Sequence, residues 1–158
     1  MNVMGIFQWF ENSGIGTSIR ASTYDFAILE CFHLLGMVCL LGSLFAIDLR
    51  LMGLGMTRQP VAKVAASLAP VTWIGLCTMI VTGLLLFSSE AMKCYENAAF
   101  PWKMGCLFSG LLLYFTLHRW VSRLDDARIG PVWGKVVGAL SLALWFGVAL
   151  AGRAIAFV

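Results

Sequence analysis

The chain has 158 residues, 60% of them hydrophobic and 12% charged, with a mean hydropathy of +0.87 and a net charge of +3. Soluble domains carry about 25% charged residues, so this composition excludes an ordinary soluble enzyme and marks one compact integral membrane domain. The charge is mild and no basic run occurs, which excludes nucleic acid as a partner.

Residues 1–19 hold no Lys or Arg, so no signal peptide is expected at the start. Val3, Ile6, Phe7 and Phe10 recur at helical spacing, with Gln8, Glu11 and Asn12 elsewhere around the wheel. This predicts a short helix over about 3–12 lying in the membrane interface, anchored by Trp9. Asn12-Ser13-Gly14 should end it, and Ser22-Thr23 offers a cap to the first span.

That span is predicted over about 25–48. Between Asp25 and Asp48 lie 22 residues, and only Glu30 and His33 among them are ionisable. A bilayer core takes roughly 20 helical residues. Glu30 and His33 are three apart and share a helix face, which Met37 extends. Ionisable groups in hydrocarbon normally point at a partner or a cavity, so this helix should carry the site.

The second span is expected over about 68–89, after an Ala-rich segment that begins at Pro60, with Pro70 in its first turn. The third runs over about 103–121 behind Pro101 and Trp102, and the fourth over about 135–157 behind Ile129-Gly130-Pro131. Short connections make successive spans antiparallel neighbours. The fold class is therefore all-α: one membrane domain over 1–158, a four-helix up-down bundle with a short interfacial helix. Gly36, Cys39 and Ser43 give the first span a narrow face, and Gly147 with Gly152 do the same for the fourth. The five cysteines form no C-x-x-C pair and no zinc spacing, so no disulfide framework is expected.

Lys and Arg placement sets orientation. Arg50, Arg58, Lys63, Arg119, Arg123, Arg128 and Lys135 fall on one side; Arg20, Lys93, Lys103 and Arg153 fall on the other. The richer side should face the cytoplasm, with both termini outside.

Depth can be counted at roughly 1.5 Å per residue from each span's centre. His33 then lies about 5 Å and Glu30 about 10 Å toward the outer face, with Lys103 near the outer boundary and Arg153 about 10 Å above centre. His118 falls about 8–10 Å on the inner side, beside Arg119 and Trp120, as an interfacial residue. Two readings stay open for the outer cluster. One is a salt-bridge network that fixes helix packing. The other is a haem site, with His33 as axial ligand and Lys103 and Arg153 on the propionates. Glu30 would orient the imidazole. One iron held by both histidines is disfavoured, because their heights differ by roughly 13–15 Å.

The stretches FQWFENSGIGTSIRAS, ILECFHLLGMVCLLGSLFAIDLRLMGLG, TGLLLFSS, NAAFPWKMGCLFSGLLLYFTLH and AGRAIAFV resemble a functionally uncharacterised family of short bacterial four-helix membrane proteins. That resemblance covers nearly the whole chain, and it implies a bacterial inner-membrane location. More distantly, His33 with Trp102-Lys103 resembles HemJ-type protoporphyrinogen oxidases, which implies haem b. The His-Leu-Leu of the first span is similar to CopD-type copper transport domains. The expected function is a b-type haem protein, cytochrome b-like, carrying electrons in the bilayer or within a larger redox complex. Its electrons would come from a protein partner or a quinone, and a homo-oligomer or a complex subunit is compatible with this. The rivals are a HemJ-like oxidase, a cofactor-free structural subunit, and copper transport through His33, Met37 and Cys31.

Overall fold

A computed structural model describes residues 3–124 and 130–155. Among these, seven helices follow in order: α1 (Val3–Glu11), α2 (Gly14–Ala21), α3 (Asp25–Leu51), α4 (Val61–Ser89), α5 (Ala91–Glu96), α6 (Ala99–Val121) and α7 (Pro131–Ile155). Four of them, α3, α4, α6 and α7, are long and apolar enough to cross a membrane. The expected turn residue Ile129, the basic residue Arg128 and the expected end of the fourth span at Phe157 lie outside the described residues.

The N-terminal region holds two helices where the spacing predicted one. Ser13 does end α1, but its side chain also caps α2 by accepting the Gly16 amide at 3.2 Å. The chain comes so close to α4 here that any Cβ on Gly16 would strike the Ser88 carbonyl. Arg20 ties the two segments together, donating to Ser89 O at 2.8 Å and to Glu11 O at 2.6 Å. The Glu11 carboxylate in turn accepts the Met92 amide. The apolar face of α1 is covered by protein only in part: Phe7 and Phe10 pack edge-on against Phe87, and Phe7 also meets Tyr95 and Phe100, while Val3 and Ile6 stay exposed. Trp9 stays exposed. Ser22 accepts the Asp25 amide at 3.2 Å at the start of α3.

The second span starts earlier than hydropathy suggests. Helix α4 begins at Val61, so Pro70 stands in its interior rather than in its first turn. An interior proline removes one ladder bond. Membrane helices tolerate this where neighbours satisfy the freed groups. Pro101, by contrast, does sit in the first turn of α6, where its missing N–H is harmless.

Helix α3 packs most extensively on α4, and α7 lies between α3 and α6. Small residues set the α3–α4 spacing. A Cβ at Gly75 would stand 2.6 Å from Leu40 N and 2.9 Å from Gly36 O, so only glycine allows this approach. Ser43 on the same face accepts a 2.8 Å hydrogen bond from Thr72. Across the bundle, α4 meets α6 through large side chains: Trp73 and Phe115 at 5.9 Å, with Arg119 over the Trp73 ring. The apolar core has a middle layer of Leu40, Leu44, Leu76, Tyr114, Trp145 and Val148. Beneath it lies an inner layer of Ile47, Leu51, Val61, Val64, Val121 and Val137. The outward surfaces are Phe, Leu, Ile and Val, as a lipid-facing belt requires.

Candidate functional site

His33, Gly36, Leu40, Ser43, Leu44, Ile47 and Asp48 follow one another at intervals of three, four and one along α3, and together make its inward stripe. The stripe carries one ionisable group near each end. The two have different partners and different chemistry.

At the outer end, His33 is half-buried and its Nδ1 lies 2.8 Å from Thr82 Oγ1. The proton on that nitrogen is set by Thr82's own commitments. The Thr82 hydroxyl has a single proton, and it is donated to Thr78 O at 2.6 Å. With that proton on Thr78 O, the Thr82 oxygen accepts, and the neutral imidazole would then carry its proton on Nδ1 and a lone pair on Nε2. Gly83 makes room for the ring, since a Cβ there would stand 3.3 Å from His33 Cε1.

Of the residues expected beside His33, Lys103 is brought close enough for its charge to act on the ring. Lys103 also lies along α7, where a Cβ on Gly152 would meet its Nζ at 3.7 Å. Arg153 is exposed in the last turn of α7. Glu30 is not part of the group. It is exposed, and among the described residues it makes no hydrogen bond or ion pair. The hydrogen-bond partner of the imidazole in this structure is Thr82. Met37 is half-buried and Cys31 is exposed. Among the described residues no three His, Cys, Asp or Glu side chains converge as a metal-binding set.

At the inner end, His118, expected beside Arg119 and Trp120 near the interface, is enclosed by protein. It is 1% exposed, and its Nε2 lies 2.8 Å from Oδ1 of Asp48, which is wholly buried. A π-helical segment over Tyr114–His118 interrupts α6 at this point. The wider turn changes the helix register, and such bulges gather at functional positions. Here both Tyr114 and His118 turn inward, their rings 5.5 Å apart. Ser141 of α7 also acts on the Asp48 carboxylate, yet among the described residues Oδ2 has no hydrogen-bond partner. Asp48 lies fifteen residues beyond His33 on one helix, roughly 22 Å along its axis. With His118 bonded to Asp48, the two histidines do not meet.

Depth counting holds the signal for this pair. Asp48 ends the first span and His118 ends the third on the same side, so antiparallel packing brings them to one level. In the sequence alone, Asp48 has the look of a boundary marker.

The four apolar helices, packed as a bundle with buried polar groups at two depths, define a multi-pass membrane protein. The chain belongs to DUF6644, a family of unknown function whose model matches residues 6–158. Comparison with curated proteins and with solved structures gave no match.

Proposed function

We propose that this protein binds haem b through His33 and carries electrons within the bilayer, alone or as a subunit of a larger redox complex. The observation that carries the reading is the Thr78–Thr82–His33 chain of hydrogen bonds. Metal-ligating histidines almost always donate their other N–H to a fixed acceptor, which sets the tautomer and raises the basicity of the ligating nitrogen. His33 has that arrangement. Its Nε2 lone pair is the donor that iron takes, and Lys103 supplies a nearby positive charge for a propionate. The cavity lined by Phe45, Asp48 and Trp145 and the one lined by Thr57, Arg58 and Leu68 do not include His33. Haem would supply one-electron transfer. The chain's own residues would orient the ligand and balance charge, while a protein or quinone supplies the electrons. In this reading the Lys- and Arg-rich loops face the cytoplasm of a bacterial inner membrane and both termini face the periplasm.

The same bond favours one rival. A His–Thr contact between α3 and α4 also serves simply to fix packing, as polar pairs between membrane helices do. A HemJ-like oxidase is weaker, because Trp102, part of that resemblance, is 76% exposed. Optical spectra of the purified protein, oxidised and reduced, separate the readings. We expect a Soret band and a reduced α-band that His33→Ala abolishes or renders labile and His118→Ala leaves unchanged. A visible spectrum that stays flat after growth with added haem would leave the structural subunit as the answer.

A further inference from the structure

A cavity of about 250 Å³ opens between α3 and α7, in the inner half of the bundle. Its walls are aromatic (Phe45, Trp145, Phe146) and aliphatic, broken only by Gly42 and Asp48. An apolar cavity of about 150 Å³ is enough to hold a benzene ring, so this one has space for a substituted ring. Phe45 and Phe146 are 43% and 54% exposed on the outward surface of spanning helices, so the mouth opens to lipid. What enters must be lipid-soluble.

Two of the lining residues carry a buried polar atom with no hydrogen-bond partner among the described residues: Asp48 Oδ2, on whose carboxylate Ser141 also acts, and Trp145 Nε1. Such orphans are rare in native structures, and each calls for an explanation. Their needs are complementary. With one proton shared between Asp48 Oδ1 and His118 Nε2, Oδ2 is an acceptor in either arrangement, and the indole N–H is only ever a donor. A ring hydroxyl answers both, donating its proton to Oδ2 or accepting the indole N–H on its oxygen. Water would satisfy them too, but the remaining lining is apolar and three aromatic faces suit a planar guest.

We propose that this cavity is a binding site for a lipid-soluble hydroquinone, its ring held among Phe45, Trp145 and Phe146 and its hydroxyls on Asp48 and Trp145. The site stands apart from His33 and does not depend on haem there. Binding of the reduced ring should exceed that of the oxidised one, because a quinone has no O–H to offer Oδ2.

The test is anaerobic calorimetric titration of the full chain in detergent micelles with decylubiquinol, then with decylubiquinone, against empty micelles. We expect saturable binding that is tighter for the quinol. Trp145→Phe keeps the ring and loses the N–H, and should weaken binding about tenfold. Gly42→Leu guards against misfolding as the explanation, since a Cβ at Gly42 meets nothing within 4 Å. It should keep the melting temperature while blocking the mouth and lowering affinity more than tenfold. Three results would overturn the proposal: no saturable binding above empty micelles, a quinone bound as well as the quinol, or native affinity in both variants. The haem spectrum is read on separate samples, so failure here leaves the His33 reading as it was, and the converse holds.

Discussion

Removing one member of the Asp48–His118 pair should destabilise the protein more than half as much as removing both. Asp48→Ala leaves an imidazole nitrogen stranded in a site that is 1% exposed. Stranding a neutral buried polar group costs about 1–3 kcal/mol. Polar contacts between membrane helices average about 0.6 kcal/mol and reach about 1.7, because the unfolded chain in the membrane finds other partners. The 2.8 Å contact, shielded on every side, belongs near the upper end of that range. Each single alanine variant should therefore lose at least about 1–2 kcal/mol, and the double variant should lose about 1 kcal/mol less than their sum. Unfolding by SDS in mixed micelles, applied to all four proteins of the cycle, measures this. Additivity within about 0.3–0.5 kcal/mol, the figure for independent sites, would refute the coupling.

Burial pushes the Cys94 thiol up, opposed by Lys103 and Lys93 and assisted by Glu90 and Glu11. In a variant whose other cysteines are serine, maleimide at pH 7 should modify Cys94 more slowly than in an SDS-unfolded control, with the gap closing as pH rises. The folded state favours the protonated thiol. Its contribution to stability is thus whole below the unfolded thiol's pKa and is lost as pH climbs through the folded one; equal rates at pH 7 would contradict this. Gly75→Ala should destabilise by about 1–3 kcal/mol, since its Cβ meets backbone that has nowhere to move. Gly42→Ala is its control and should be near neutral in the same SDS assay. Thr57 and Glu96 are exposed on opposite sides of the bundle. If the basic loops are cytoplasmic, a membrane-impermeant thiol reagent applied to whole cells should reach Glu96→Cys and not Thr57→Cys, and the reverse pattern would invert the topology.

The four spans are legible because hydrocarbon thickness imposes a length and a composition that few other constraints imitate. Their starts are less so. Val61–Ala69 is alanine- and valine-rich and carries Lys63, and no hydropathy window distinguishes a helix that has entered the membrane from one still approaching it. The two-glycine segment GIGTSIRA has weak helix propensity. Helix α2 owes its existence to the Ser13 cap and to contacts with Ser88 and Ser89, which are remote in sequence.

The polar groups show a sharper limit. Glu30 and His33 stand out because they interrupt an apolar run, yet Glu30 is exposed and the His33 ring meets Thr82, a residue that hydropathy treats as neutral. Asp48 and His118 are visible individually, but each sits where a span is expected to end and so reads as an ordinary boundary residue. What joins them is register: the α3–α7 approach allowed by Gly138, whose Cβ would stand 2.9 Å from Asp48 O, and the π segment that turns His118 inward. Register depends on pairs of helices, and one sequence spells out only single ones. A lone ionisable residue in a span thus locates a helix that needs a partner, while the partner's identity is decided by small residues and helix irregularities elsewhere. In this protein those features join Asp48 to His118 and leave Oδ2 unsatisfied beside a lipid-facing cavity. The inner end of α3, where the sequence draws least attention, is where a buried carboxylate oxygen lies beside an aromatic-walled cavity.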